Sequence, residues 1–502
     1  MKRTIIIETI ISAICGSMTA LAFSSARLYP LVFFTLAPLF FLLTKTRCPF
    51  RVMFSYGFFL YACTTLWLTN TTEFLPLPKA VGLPLIFIGI IFFSAVQAAA
   101  LSLPFLFFHH LRRGGITDAF FFSSLYALGE FMQEYIPIFA FPWARLCNIV
   151  SPFTEFTQSA SLFGGLFVSF LVSLLNALLC LIVSYAHRMK KVNLPAAILA
   201  VAVFSANIIF GVVRISNSNE TPDATAILVQ GNFSGTDKRY NDTDEMILRH
   251  ISLAEGCNAN ADMVVFSETS LPEYLGEKLR AEEKILGLAR KKNCPVITGA
   301  LHKADEKRYN AMAVFYTDGR ISEPYLKRKI VPFGEYLPLR EILVGIFPTL
   351  ERYGGFSAGA EAVSLPVGEH IVGGVICFES IFPEIVRSTV RNGAEVIVVI
   401  SNDSWFGEGS ALYQHHSHAV IRAVENGRYT LRSSSTAVTS CISPAGKIKA
   451  TAEPFEPVAV AVNYSYLNTV TLYSRLGNVI VIPFSVVFIF SVISYFRRRN
   501  AV

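Results

Sequence analysis

The chain divides by the length of its apolar runs. Up to residue 213, long and nearly uncharged stretches follow one another at about 4–24, 29–44, 52–70, 80–108, 117–135, 161–185 and 193–213, and one more lies at about 478–496. A helix needs about 20 predominantly apolar residues to cross a bilayer, so these runs predict seven spans in residues 1–213 and one in 478–502. The second run is short and is expected to be tilted or half-inserted. The first follows Met1-Lys2-Arg3, as a signal peptide would, but its length and the spans that come at once after it favour a membrane helix. From 214 to 477 the pattern changes. Apolar runs such as "ATAILVQGN", "ADMVVFSET", "IVGGVICFES" and "AEVIVVISND" alternate with helix-like stretches at 245–256, 275–292, 381–392 and 414–428. Continuous apolar strands mixed with helices predict an α/β domain whose sheet is covered on at least part of both faces.

Charge orients the spans. Lys2 and Arg3, then Lys45, Arg47 and Arg51, then Arg112 and Arg113, then Arg188, Lys190 and Lys191, and last Arg497, Arg498 and Arg499 all fall on one side of such a bundle. The opposite loops, about 71–79 and 136–160, carry only Lys79 and Arg145. The positive-inside rule then places both termini in the cytoplasm and 214–477 on the far side of the membrane. The aromatic, proline-rich stretch 135–146 is expected at the headgroup level.

Composition agrees. Of 502 residues, 53% are hydrophobic and 16% charged, against roughly 25% charged in average soluble chains. The net charge of +7 does not predict nucleic-acid binding, because the basic residues are spread between spans and form no single patch. Nine cysteines are scattered with no Cys-x-x-Cys pair, so neither a zinc site nor a disulfide framework is expected. His415, His416 and His418 stand without a carboxylate or cysteine at ligand spacing. No metal and no cofactor is expected.

Candidate chemistry gathers at strand ends in the second region. "VVFSET" ends an apolar run in Glu268, "YLKRKIVPFGEYLP" holds Lys327 and Glu335, and "GVICFES" holds Cys377 and Glu379. Brought together, a thiol, a carboxylate and an ammonium make an acyl-transfer set: nucleophile, proton carrier and oxyanion stabiliser. Spacing alone leaves blander readings open. Cys377 suits a small buried hydrophobe, Glu268 suits a helix N-terminus, and nothing local favours Lys327 over Lys329.

These stretches resemble the carbon–nitrogen hydrolase (nitrilase) superfamily. "KIVPFGEYLP" is similar to the superfamily's lysine signature ending in Pro-Phe-Gly-Glu, in which the lysine lies eight residues before the glutamate. "CFE" and "SNDSWFG…QH…RAVENGR" match as well. With the spans, the whole chain resembles the membrane-embedded branch, the apolipoprotein N-acyltransferases. The resemblance implies a multi-pass helical bundle (1–213 and 478–502) in a bacterial inner membrane, carrying an extracytoplasmic α-β-β-α sandwich (214–477). It implies Cys377 as nucleophile, Glu268 as general base, and Lys327 with the Phe378 N–H as oxyanion donors. Glu335 and Glu379 are the implied supporting carboxylates, and Lys327 is expected to favour thiolate over thiol. The implied acyl donor is a phospholipid, the acceptor is the amino terminus of a diacylated lipoprotein, and the enzyme is expected to be a monomer. Trp405, Phe406 and Tyr240 are candidate lipid contacts.

Two departures from the family pattern stand out. Arg239 occupies the offset from Gln230 at which the family often has an aromatic residue, with Tyr240 beside it. "SSSTAV", from Ser433, replaces the usual stretch after the arginine. The glycine-rich stretch 347–361 reads as a lid or as an ordinary surface loop. Two other functions compete: a membrane-tethered amidase using the same three residues, and a transporter or scaffold with an inert domain. The latter is disfavoured because Glu130 and Glu134 belong to no polar series across several spans.

Overall fold

The computed structural model describes residues 2–75, 77–218, 221–233, 243–277, 279–346, 348–352 and 354–500. The chain forms two compact units, one of Met1–Thr69, Leu83–Asn217 and Leu476–Val502, the other of Asn70–Gly82 and Ser218–Arg475. Arg239 and Tyr240 lie outside the described residues.

In the first unit, helices fall on every apolar run. They are Lys2–Phe23, the pair Val32–Thr35 and Ala37–Leu43, Pro49–Thr64, Lys79–Ser102, Gly115–Met132, Gly165–Met189, Leu194–Ser216 and Val481–Asn500. Among the described residues, Arg3–Phe23, Lys79–Leu111, Gly165–Met189 and Leu194–Ser216 are each long and apolar enough to cross a membrane. The pair Pro49–Thr64 and Leu66–Phe74, bent by 44°, makes a further candidate, whereas Tyr29–Leu43 and Val481–Arg497 are apolar but shorter. The short second run is broken at Leu36, just before Pro38. Asn176 mends the break: its Oδ1 accepts the Leu36 N–H (3.0 Å) and its Nδ2 donates to the Val32 carbonyl (2.9 Å). Apolar side chains face outward on these helices, as Ile6, Ile10 and Ile14 do, while Ser12 and Thr19 are buried. That inversion suits a lipid surround, where polar groups bond across helices. The stretch 135–146 is not simply superficial, since Ala140, Phe141, Trp143, Ala144 and Arg145 are buried. Arg145 there pairs with Glu134, and the Glu130 carboxylate accepts the Leu146 N–H (2.9 Å).

The second unit contains two sheets. The first is built from β1 Ala224–Gln230, β2 Met263–Val265, β3 Leu271–Tyr274, β4 Val296–Ala304, β5 Lys307–Phe315, β6 Tyr325–Leu326 and β13 Val458–Tyr464. Its strands lie in the order β13-β1-β2-β4-β5-β6, with β3 against β4. The second is built from β7 Ser364–Val367, β8 His370–Ile376, β9 Val396–Ser401, β10 Thr430–Ser434, β11 Thr439–Ile442 and β12 Ile448–Ala452. Its order is β12-β11-β10-β9-β8-β7. Side chains alternate between faces with the strand period of two. Leu228 points into the core shared by the sheets, with Met312, Ile376 and Val398, whereas its neighbour Ile227 packs outward with Ile247 and Ile285. Helices Thr243–Gly256 and Leu279–Lys292 supply that outer layer. Pro383–Arg391 and Ser410–Asn426 supply the layer on the other sheet. The expected α-β-β-α sandwich results.

Strands β1, β2 and β4 run parallel, as do β8, β9 and β10. Residues just beyond their carboxyl ends can therefore gather at one edge of the sandwich. Glu268 follows β2, Cys377 follows β8, and Asp403 follows β9. Gly299 in β4 permits one of these placements. A Cβ there would stand 2.4 Å from the Thr269 nitrogen and 2.8 Å from the Glu268 Cα. Overpacking of this kind costs about 1–3 kcal/mol. Gly299→Ala is expected to lower the thermal unfolding temperature and to lower activity further than the lost stability explains, because Glu268 must move. Thermal unfolding and turnover of the purified variant check this, and wild-type values for both would refute it.

Candidate active site

Four short segments bring the predicted residues together. Lys327, immediately after β6, is 1% exposed. Its Nζ donates to Glu268 Oε1 (3.1 Å) and Glu335 Oε1 (2.8 Å). Asn310 on β5 bridges the same two acceptors, its Nδ2 lying 2.7 Å from Glu268 Oε1 and 3.0 Å from Glu335 Oε1. The second oxygen of each carboxylate is also used: Glu268 Oε2 accepts the Asn402 N–H (2.7 Å) and Glu335 Oε2 accepts the Val331 N–H (2.8 Å). Lys329 is different. Its ammonium lies over the Phe382 ring, 4.7 Å from the centroid. Of the two lysines, Lys327 is the one buried between carboxylates.

Cys377 follows β8 with a φ of +52°. A non-glycine residue held in that region costs on the order of 1–3 kcal/mol, and a 3-10 turn over Cys377–Ile381 begins at once. Glu379 anchors the turn. Its carboxylate accepts the Ile376 N–H (2.7 Å), the Arg328 N–H (2.6 Å) and the Tyr325 hydroxyl (2.8 Å). One buried carboxylate therefore ties the cysteine turn to the segment that carries Lys327. Phe378 packs its ring against Phe382, with centroids 5.1 Å apart.

The electrostatics correct one expectation. Burial, and then the Glu268 carboxylate, push the Cys377 thiol well above its ordinary pKa, and Lys327 opposes them without prevailing. Burial also works against the Lys327 ammonium, but Glu268 and Glu335 outweigh it and hold its pKa well above the usual lysine value. With two carboxylates already matching its charge, Lys327 has little left with which to stabilise a thiolate. The site therefore favours the thiol over the thiolate.

Several participants are inconspicuous in the sequence. Asn310 reads as one polar residue in the strand "NAMAVFYT". Asp403 and Arg432 are buried, and they pair with each other. Asp403 Oδ1 also bonds His415 Nδ1 (2.8 Å). Burial works against the Asp403 carboxylate, but Arg432 and His415 outweigh it and hold its pKa below the usual range. The spacing of "SND" to "QH" was the available clue. His416 bonds Ser440 Oγ (2.8 Å). Burial first, and then Arg432, lower its pKa to about 3.

Among the described residues, Cys377, Asp403 and His415 are the group whose ligand atoms could hold a metal, all within 4.8 Å of one another. Asp403 and His415 are bonded to each other and Asp403 to Arg432, so a cation would have to displace an arginine. The donor set does not fit a resident metal. Of the candidate lipid contacts, Trp405 packs on Phe74 with centroids 4.3 Å apart, and Phe406 is buried against His415 at 5.5 Å. Asn70 Nδ2 donates to the Phe406 carbonyl (2.6 Å). The stretch after residue 353 is a strap, with the Phe356 N–H on the Glu335 carbonyl (3.1 Å) and the Gly359 N–H on the Lys327 carbonyl (2.9 Å).

Comparison with known proteins follows the same division. Residues 225–468 match the carbon–nitrogen hydrolase family, and residues 15–178 match the apolipoprotein N-acyltransferase N-terminal domain. The chain is similar to the apolipoprotein N-acyltransferase of Geobacter metallireducens, with 28% identity over 94% of this chain and 92% of that one. It is 31% identical to that of Bradyrhizobium diazoefficiens over 72% of this chain and 70% of that one. A solved amidase from Nesterenkonia sp. aligns at 17% identity and a TM-score of 0.37, over 50% of this chain and 93% of that one.

Two measurements check the electrostatic assignments. Removing one partner of a buried ion pair costs about 3–5 kcal/mol, and losing an oxyanion donor costs about 2.7–4 kcal/mol of barrier. Lys327→Met is expected to lose both stability and nearly all turnover, with Lys329→Met close to wild type; equal turnover would refute the assignment. The pH dependence concerns His416. Unfolded histidine takes a proton below about pH 6.5, whereas the folded His416 does so only near 3. Between those values the unfolded chain binds the extra proton, so this group's stabilisation is lost as pH falls from about 6.5 toward 3. His416→Gln is expected to flatten the fall of unfolding temperature across that window, and identical profiles would count against it.

Proposed function

The chain belongs to the apolipoprotein N-acyltransferase family, and on that premise we propose that it N-acylates lipoproteins, using Cys377 to carry the acyl group between two substrates. The observation that carries this reading is a buried Glu268–Lys327–Glu335 cluster beside a cysteine held at a strained turn. The acyl donor is a membrane phospholipid and the acceptor is the α-amino group of a diacylated amino-terminal cysteine.

The first half-reaction begins when Cys377 Sγ attacks an ester carbonyl of the phospholipid and its proton passes to Glu268. Lys327 Nζ and the Phe378 N–H serve the oxygen that becomes negative. Collapse of the tetrahedral adduct breaks the ester C–O bond. Glu268 returns the proton to the departing oxygen, and lysophospholipid leaves an acyl thioester on Cys377. In the second half-reaction the neutral amine attacks the thioester, Glu268 takes the amine proton, and the sulfur leaves. The proton from Glu268 restores the thiol as the amide is released. Glu335 and Asn310 hold Lys327 and Glu268 in place, and Glu379 holds the cysteine turn.

Membrane placement fits such substrates. With seven spans before residue 214, one after 477 and both termini in the cytoplasm, the catalytic unit stands at the outer face of a bacterial inner membrane. Acyl chains then remain in lipid while only the reacting groups reach Cys377. This avoids exposing methylenes at roughly 0.8 kcal/mol each. A membrane-tethered amidase would use the same residues with water in place of the amine.

One experiment separates these readings. Incubated with phospholipid alone, the protein is expected to gain the mass of one acyl group and to release one lysophospholipid per site. A diacylated lipopeptide should then discharge the acyl group onto its amine, giving ping-pong kinetics. Cys377→Ala should do neither. Intact-mass analysis with and without the lipopeptide reads all of these outcomes. Rapid discharge to free fatty acid, indifferent to the lipopeptide, would favour the amidase, and a fully active Cys377→Ala would end the thioester route.

A further inference from the structure

Behind Cys377 lies a second polar cluster that the reaction above does not use. His415 Nδ1 is bonded to Asp403 Oδ1 at 2.8 Å, and both residues are buried. Asp403 is an ionised carboxylate paired with Arg432 and also accepts the Ser434 hydroxyl (3.1 Å). A carboxylate offers only acceptors, so the proton in the His415–Asp403 bond sits on Nδ1. The imidazole is then fixed in orientation, with Nε2 turned to the cysteine turn. There it lies 3.1 Å from Ser380 Oγ and 3.3 Å from the Cys377 carbonyl oxygen. Ser380 Oγ itself donates to the same carbonyl at 2.8 Å. The Cys377 sulfur also lies beside this cluster, within 4.8 Å of ligand atoms of Asp403 and His415, and the Ser401 hydroxyl donates to Asp403 Oδ1 at 2.6 Å.

We propose that His415 is a positioning residue for the nucleophile: pinned by Asp403, its Nε2 accepts from the Ser380 hydroxyl, which it shares with the Cys377 carbonyl, and so keeps Cys377 in the left-handed conformation that aims its sulfur at Glu268 and Lys327. A left-handed non-glycine residue relaxes unless its surroundings over-determine it. Glu379 fixes the backbone on the N-terminal side of Cys377 through the Ile376 N–H (2.7 Å). Ser380, held by His415, fixes the carbonyl on the other side. The residue between them has no freedom to turn, and its sulfur and following N–H keep their directions through two different tetrahedral adducts.

The proposal rests on Cys377 being the acylated residue, and its test separates the two. Acylation by phospholipid is followed in single turnover for wild type, His415→Ala, His415→Gln, Ser380→Ala and Cys377→Ala in the full-length protein. A misplacement of about 1 Å costs about 10²-fold in rate. His415→Ala is expected to acylate about 10²-fold more slowly while the half-saturating phospholipid concentration stays within about twofold, because the residue acts on the nucleophile and not on the lipid. Iodoacetamide alkylation of Cys377 should slow in the same variant. His415→Gln, which keeps an acceptor near the Ser380 hydroxyl, should recover part of the rate. Ser380→Ala should lose about as much as His415→Ala. If His415→Ala does not fold, His415→Gln and Ser380→Ala decide, and wild-type acylation in both overturns the proposal. A wild-type rate in folded His415→Ala, or a weakened half-saturation with unchanged maximal rate, also overturns it. Acylation of Cys377→Ala would instead overturn the thioester itself.

Discussion

A lysine ammonium removed from water must be matched by negative charge or give up its proton, and Lys327 is matched twice. Moving a single ion of that size into a low-dielectric interior costs several kcal/mol even after relaxation. Glu268 and Glu335 offset the cost at 3.1 and 2.8 Å, but they then need partners for their own oxygens. Asn310, Asn402 and Val331 supply them. Each partner comes from a different part of the fold, so satisfying one ammonium draws β5 and the ends of β6 and β9 to a single point. A loose version of this cluster would leave a buried carboxylate unpaired, which is worse than having no cluster at all.

The same requirement explains the elements around it. Glu379 is buried beside the cysteine turn and takes four donors from Ile376, Arg328, Lys329 and Tyr325. The strap after residue 353 closes backbone bonds to Glu335 and Lys327, and Gly354 makes room for it. Its φ is +74°, and a Cβ there would lie 2.8 Å from the Tyr336 Cα. A stretch that reads from sequence as a lid or a surface loop is thereby part of the frame. Its glycines serve close approach as well as turning.

Strand periods and helix-like stretches identify the sandwich from sequence because burial acts on every residue of an element at once. Glu268 and Cys377 drew attention because a polar or reactive group ending an apolar strand is conspicuous, but blander readings stayed open until the resemblance to the nitrilase superfamily singled them out. The partners of these groups were not legible. Asn310, Asp403 and Arg432 sit in strands and loops where a single polar residue has many innocuous explanations, and what defines them is pairing across the fold. Lys327 could not be told from Lys329 locally. The resemblance, through its eight-residue offset to Glu335, pointed to Lys327, and Lys327 lies buried between two carboxylates. The segment Asn70–Gly82 clusters with the catalytic unit, though its sequence position lies among the apolar runs. Only a contact such as Asn70 to the Phe406 carbonyl reveals that allegiance.

The charge balance of the site suits a thiol that must react twice. With Lys327 positive and Glu268 and Glu335 negative, the resting cluster carries a net negative charge. A free thiolate would add another beside them, which is one reason the thiol pKa is pushed up. In the proposed mechanism, when sulfur attacks and Glu268 takes the thiol proton, the negative charge moves from Glu268 to the oxyanion and the total is unchanged. The same holds when an amine attacks the thioester and Glu268 accepts its proton. Charge migrates over a short distance inside a constant total, beside an ammonium that is already in place, so little of the surroundings must reorganise at either barrier. A site poised by a depressed thiol pKa would hold more thiolate for the first step and a better leaving group for the second, but at rest it would carry one more negative charge beside Glu268 and Glu335. Neutral sulfur at rest is thus the state from which both half-reactions can be run by the same three side chains.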